Sequence, residues 1–377
     1  MRLSAHSQTY RNQRKPPHSS TMATSSPDTK PARMPYRFLG NSGLLVSRLS
    51  LGSWMDADEK YTADSWFDMM ALAFKHGVNF FDNAEIYGAG LAEKNMGGAI
   101  QKGIANGTWS REDLVITTKI FLGSKGFGAG IGPNDQGLGR KHIVEGTKAS
   151  LARLQLDYVD VLFCHRSETF TPIEETVRAM NFAIEQGWAF YWGTSSWSAA
   201  QIIEACEIAD RLGLIRPIVE QPEYNLIERS KVEFEYADLY KKYKLGLTTW
   251  SPLSYGALTG KYSAGTPEGS RLSSDYWKGF TPDFAERVAK ADKLKPIAEE
   301  LGVSMVVFAL AWCLSNDDVS TVLIGAKTAT QLTQNLKALE VVDKITPEVK
   351  AKVEALVPCI PKPPQPDVVA MIRGRHL

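Results

Sequence analysis

N-F-F-D-N-A-E-I-Y-G, residues 79–88, is the stretch on which the fold turns. The apolar run 78–81 follows Lys75-His76-Gly77, a basic last turn with a glycine stop, so it reads as a buried parallel strand. The run passes directly into Asp82, Asn83, Glu85 and Tyr87. A carboxylate at the end of a buried strand must meet a cation or take up a proton. Lys119, which closes the apolar strand 114–119, offers the cation, and a third strand, 158–164, ends in His165. Asp, Tyr, Lys and His at the mouths of neighbouring parallel strands can together move a proton.

Outward from this stretch, the same strand-then-helix pattern repeats. Apolar strands are expected at 48–53, 78–82, 114–119, 158–164, 189–194, 217–221, 245–250 and 321–325. Helical periodicity falls at 65–75, 92–104, 140–154, 173–186, 199–211 and 231–242, and with a break over 285–312. Helix stops fall at Gly77, Gly187, Gly213 and Gly302. Eight parallel strands alternating with helices predict an α/β fold, a closed (β/α)8 TIM-type barrel. An open dinucleotide-binding sheet would carry G-x-G-x-x-G after its first strand, whereas this chain has Gly52-Ser53-Trp54-Met55. Residues 36–46 read as a short N-terminal hairpin around Asn41-Ser42-Gly43.

The 377 residues divide into a basic, Ser- and Pro-rich extension over 1–34, a barrel over 35–357 and a tail over 358–377. The extension has too little apolar surface to offset its ordering entropy, which predicts disorder ahead of a targeting peptide, and Met22 and Met34 are alternative starts. A net charge of +1 gives no electrostatic case for nucleic acid or an anionic membrane. No apolar run approaches the ~18 residues of a membrane span. Cys164, Cys206, Cys313 and Cys359 form no C-x-x-C pair, which fits free thiols and a cytoplasmic setting. The closing Arg375-His376-Leu377 lacks the small first residue of a peroxisomal tripeptide.

In a barrel of this kind chemistry sits at the carboxyl ends of the strands, where Asp82, Lys119, His165, Ser195, Gln221, Trp250 and Gly325 fall. Taken singly, each suits a turn, a cap or a solvated surface. Together they fit one reaction. Tyrosine has a pKa near ~10, an adjacent ammonium favours phenolate, and a carboxylate holds that ammonium charged. Tyr87 with Lys119 and Asp82 would then be a tuned general acid for a carbonyl oxygen gaining negative charge, with His165 hydrogen-bonding the same oxygen. No Ser-His-Asp nucleophile and no metal-ligand spacing is evident. Hydride transfer from a nicotinamide is the natural partner reaction.

The order of F-D-N-A-E-I-Y-G, T-T-K and G-T-S-S-W resembles the aldo-keto reductase superfamily over residues 36–356. Within it, 115–121, 140–143, 148–151, 191–195 and 249–253 are similar to the beta subunits of voltage-gated potassium channels. The resemblance implies catalytic roles for Asp82, Tyr87, Lys119 and His165, with Tyr87 the proton donor. His165 stands where the animal channel subunits carry Asn, a departure towards ordinary reductases. The resemblance also implies NADP(H), with Ser53, Trp54 and Asp82 among its contacts, Ser195 and Gln221 on the carboxamide and Trp250 against the nicotinamide. Ser251, Pro252 and Leu253 would line the pyrophosphate, and Lys261 and Arg271 would grip phosphates. Gly325, Lys327, Gln331, Gln334 and Asn335 would meet the adenosine end. Ser196 replaces an Arg frequent in the channel branch. The glycine-rich segment 123–139 is longer than that branch carries and reads as a mobile lid or substrate loop.

These features lead to an expected NADPH-dependent reductase of small-molecule carbonyls. The alternative is a redox-sensing auxiliary subunit with slow catalysis, a channel alpha subunit as partner. A homotetramer is the expected assembly, with neither nucleic acid nor membrane insertion.

Overall fold

Strands buried on both faces read as continuous apolar runs, and the eight runs expected as strands all fall in one closed sheet. A computed structural model describes residues 34–54, 61–126, 130–267, 270, 281–361 and 367–377. The amino-terminal segment up to residue 33 and Arg271 lie outside the described residues. A hairpin, β1 (Tyr36–Phe38) and β2 (Leu45–Ser47), precedes eight strands. These are β3 (Leu49–Gly52), β4 (Phe80–Asp82), β5 (Val115–Ile120), β6 (Val159–Cys164), β7 (Ala189–Ser195), β8 (Val219–Gln221), β9 (Gly246–Thr249) and β10 (Val319–Ile324). They pair in sequence order, and β10 returns beside β3, so the (β/α)8 barrel expected from the pattern is the observed fold.

Described helices on the outside are α1 (Ala63–Lys75), α2 (Leu91–Ala105), α3 (Arg140–Leu154), α4 (Ile173–Glu185) and α5 (Ala199–Leu212). The second half adds α6 (Ala237–Tyr243), α7 (Phe284–Glu300), α8 (Met305–Leu314), α9 (Ala329–Leu336) and α10 (Pro347–Leu356). One expected helix differs, and the expected break within 285–312 is present. The 231–242 stretch opens with a wide π turn, Lys231–Glu235, before α6. That turn lets the Lys231 ammonium and the Tyr236 hydroxyl both donate to the Trp197 carbonyl. The 285–312 stretch breaks at Gly302, whose φ of 70° ends α7, and Ser304 caps α8 by accepting from the Val307 amide. No single described helix is long and apolar enough to cross a membrane; α7 and α8 qualify only as a pair bent by 89°, and α8 is packed inside the core.

The hairpin closes the amino end of the barrel. Phe38 pairs with Leu45, and Asn41-Ser42-Gly43 lies in the loop between them. Gly40 takes φ 57°, and a Cβ there would fall 2.1 Å from the Ile218 carbonyl oxygen, so only glycine lets the turn lie this close to the barrel floor. Leu39 then packs among Phe80, Val115, Val161, Phe163 and Val219. With one end sealed, chemistry is left to the carboxyl end.

Candidate active site

β4 delivers Asp82 and β5 delivers Lys119 to one face of the barrel mouth, because Asp82 is in register with Thr117 and Lys119 lies two residues further along β5. The Lys119 ammonium donates to Asp82 Oδ2 at 2.5 Å, to the Asn83 carbonyl at 2.7 Å and to the Tyr87 hydroxyl oxygen at 3.2 Å. All three of its protons are therefore used. Since Tyr87 accepts from Lys119, its own O–H is left to point elsewhere. Asp82 Oδ1 in turn accepts from Thr117 Oγ1 at 2.7 Å and from Gln221 Nε2 at 3.2 Å, which fixes the carboxylate on both oxygens.

Tyr87 reaches this position through a turn in which Gly88, Ala89 and Gly90 all have positive φ (57°, 53° and 86°). Ala89 in that region is strained by roughly 1–3 kcal/mol, strain of the kind that is retained where a side chain must be aimed. His165, at the end of β6, meets the Tyr87 ring edge-on with centroids 5.7 Å apart. The structure thus brings Asp82, Tyr87, Lys119 and His165 into one cluster across three adjacent strands.

Burial disfavours charge on Lys119, yet Asp82, and behind it Tyr87, hold its pKa above the ordinary value. Tyr87 differs from the expectation of an ammonium-favoured phenolate. Lys119 does pull its pKa down, but burial outweighs that pull and the net shift is upward, so the phenol keeps its proton. For His165, burial first and then Arg166 and Lys119 push the pKa well below the usual imidazole value. The ring is neutral, and its Nδ1 is buried with no hydrogen-bond partner among the described residues.

Three carboxylates with no role assigned from sequence shape the surroundings. Glu85 accepts from the Phe121 and Gly123 amides at 2.7 and 2.8 Å and lies 3.0 Å from His142 Nε2. It thereby anchors the root of the glycine-rich segment, whose other end is tied by Gly137 N to the Phe121 carbonyl at 2.7 Å. Glu168 accepts from the Leu138 amide, Thr171 Oγ1 and Arg373 Nη1, joining that segment, the loop after β6 and the carboxyl-terminal segment. Arg375 also donates to Gln136 at 2.6 Å. The segment expected to be a mobile lid is strapped at its described ends. Glu223 accepts from Arg287, which also donates to Ser254 and so braces the turn after β9. Only the motif position of Glu85, between Asp82 and Tyr87, hinted at any of this.

Of the residues expected around a dinucleotide, those at the strand ends lie on the remaining arc of the mouth. Ser53 follows β3, Ser195 and Gln221 end β7 and β8, Trp250 follows β9, and Gly325 follows β10. Ser195 Oγ donates to the Gln221 carbonyl at 2.9 Å. Trp54 and Trp250 both meet Tyr255 edge-on, at 6.0 and 6.2 Å. Ser251, Ser254 and Tyr255 take φ values of 53°, 49° and 56°, so the 251–255 turn holding Pro252 and Leu253 is strained. Lys261 and Lys327 are exposed. Gln331 accepts from the Lys327 amide at 2.7 Å, Gln334 reaches Ser304 Oγ at 3.4 Å, and Asn335 is buried on the inner face of α9. Ser53 Oγ and Trp250 Nε1 are buried without a partner among the described residues. Buried polar atoms left open on an aromatic-walled mouth fit a polar, planar ligand.

The sequence model of the Aldo/keto reductase family matches residues 48–358. An Arabidopsis thaliana protein named "Probable voltage-gated potassium channel subunit beta" is 52% identical over 335 residues, covering 88% of this chain and 99% of that protein. A protein of the same name from Oryza sativa subsp. japonica is 51% identical over 332 residues, or 87% and 98% of the two chains. The family match spans all eight barrel strands and every residue of the Asp82–Tyr87–Lys119–His165 cluster, and on that basis the chain belongs to the aldo/keto reductase family.

Proposed function

We propose that the chain reduces aldehyde or ketone carbonyls to alcohols with NADPH, using Tyr87 as the proton donor. One observation carries the reading: a buried ammonium bridges a carboxylate and a phenol beside a neutral histidine. When bound, NADPH supplies the hydride. As negative charge develops on the carbonyl oxygen, the free O–H of Tyr87 delivers the proton. The Lys119 ammonium then faces the phenolate at the oxygen it already contacts. Asp82 keeps that lysine charged and aimed. Neutral His165 orients the oxygen by hydrogen bonding, and the aromatic walls exclude water.

Ser195, Gln221 and Trp250, with Ser53 and Trp54, would hold the nicotinamide half. The 251–253 turn, Lys261 and Arg271 would take the phosphates, and Gly325, Lys327, Gln331, Gln334 and Asn335 the adenosine end. NADPH oxidation over a panel of aldehydes and ketones is the test, and no turnover of any carbonyl would sink the reading. His165→Asn is expected to slow reduction while NADPH affinity is kept. A rate equal to that of the unmodified chain would make His165 structural only.

Preference for NADPH over NADH follows from the cationic residues at the phosphate positions. Charge-assisted hydrogen bonds contribute about 1.5–3 kcal/mol each. Neutralising Lys261 and Arg271 together should therefore weaken NADPH by about tenfold or more relative to NADH, as read by fluorescence titration. Equal losses would assign both to the shared pyrophosphate.

A second reading, a cytoplasmic auxiliary subunit seated on a channel alpha subunit, is supported by the names of the plant relatives. Co-purification with a membrane partner, set beside turnover, separates the two. A homotetramer belongs to that reading. Sedimentation as a single species near 41.6 kDa would count against it.

A further inference from the structure

Arg166 follows His165 directly in the chain. Its side chain is 23% exposed, at the mouth rather than on the outer surface. Nη1 donates to the His165 carbonyl at 3.1 Å and to Ser196 Oγ at 2.8 Å. The guanidinium carbon lies 5.8 Å from the centre of the Trp250 ring. These contacts set it beside His165 and Trp250, two residues of the barrel mouth.

A guanidinium has five N–H groups. Those of Nε and Nη2 make no hydrogen bond among the described residues. That Nε–Nη2 edge is the one that matches a carboxylate in two parallel bonds. Its ion-pair partner is the chain's own Asp367, whose Oδ2 stands 3.6 Å from Nε, within ion-pair reach but beyond a hydrogen bond. Asp367 uses Oδ1 to cap the last turn-rich segment by accepting from the Val369 amide at 2.9 Å. A carboxylate therefore fits beside this guanidinium, yet the resident one is held back by its cap.

We propose that Arg166 is a specificity-determining residue that selects carbonyl substrates carrying a carboxylate a short distance from the reacting carbon. The inference rests on the reductase reading and deepens it. The carbonyl sits at Tyr87 and His165, and the carboxylate takes the open edge of the next residue along the chain. Asp367 competes weakly for that edge, so it tempers the preference.

The test compares a carboxybenzaldehyde with its uncharged methyl ester, and measures benzoate binding to the NADPH-loaded protein by calorimetry. Arg166→Met should lower the acid-to-ester ratio of kcat/KM about tenfold or more and weaken benzoate by a similar factor. Arg166→Lys should restore part of the ratio. Asp367→Asn, which keeps the cap acceptor, should move the ratio the opposite way. Equal falls for acid and ester, unchanged benzoate binding, or a loss of NADPH affinity matching the loss of benzoate would overturn the proposal. If neither aldehyde is reduced but benzoate still binds through Arg166, the carboxylate site stands and the reductase reading falls.

Discussion

Tyr87→Phe should lower carbonyl reduction by about 10²–10⁴-fold while leaving NADPH affinity within a few-fold of the unmodified chain, because a positioned general acid contributes on that scale. The substitution removes one oxygen. That oxygen accepts from Lys119 at 3.2 Å, but the ammonium keeps its bonds to Asp82 and the Asn83 carbonyl, so the cluster survives. The pH profile follows from the direction of the shift. Burial holds the Tyr87 pKa above its ordinary value of 10.0, so the donor form persists through neutral pH, and the rate through this group should fall only in the strongly alkaline range. His165 is neutral across the same range and should add no inflection near pH 6–7. Unchanged turnover in Tyr87→Phe, or a rate that drops across neutral pH with the tyrosine intact, would remove Tyr87 from the donor role.

Legibility in the sequence followed the range of the interactions. The barrel could be read because each strand is an apolar run that stops at a polar residue, a local pattern, and the closed sheet has those runs in order. Asp82 and Lys119 could be paired on paper because each ends its strand, and parallel register brings strand ends together. What local pattern does not encode is which distant group a side chain finds. Glu168 and Arg373 are joined across 205 positions. The contact of Gly40 with Ile218 makes the hairpin a plug rather than an ornament, and it depends on a backbone approach that a composition of turn residues cannot express. The net direction of the Tyr87 shift escapes a local reading for a related reason. The neighbouring ammonium was visible in the motif, whereas the burial that outweighs it belongs to the assembled mouth.

Lys119→Met should be the most destabilising single change at the site, costing about 3–5 kcal/mol, as breaking a buried ion pair does when one charge is left behind. Lys119 is fully buried, and the Asp82 side chain is 4% exposed. In the variant the Asp82 carboxylate keeps Thr117 and Gln221 but loses its only cation among the described contacts, and it must take up a proton or draw in water. Protonation removes the stranded charge, so the deficit should shrink as pH falls. Lys119→Met combined with Asp82→Asn should be markedly more stable than Lys119→Met alone, since no charge is then left in the barrel. Urea midpoints of the two single variants and the double variant close the cycle, and strict additivity would show that the pair is not energetically coupled. All three are expected to lose carbonyl reduction. Recovery of stability without recovery of turnover would mean that the barrel can fold around an uncharged pair, and that the ionised one is there to keep an ammonium against the oxygen of Tyr87.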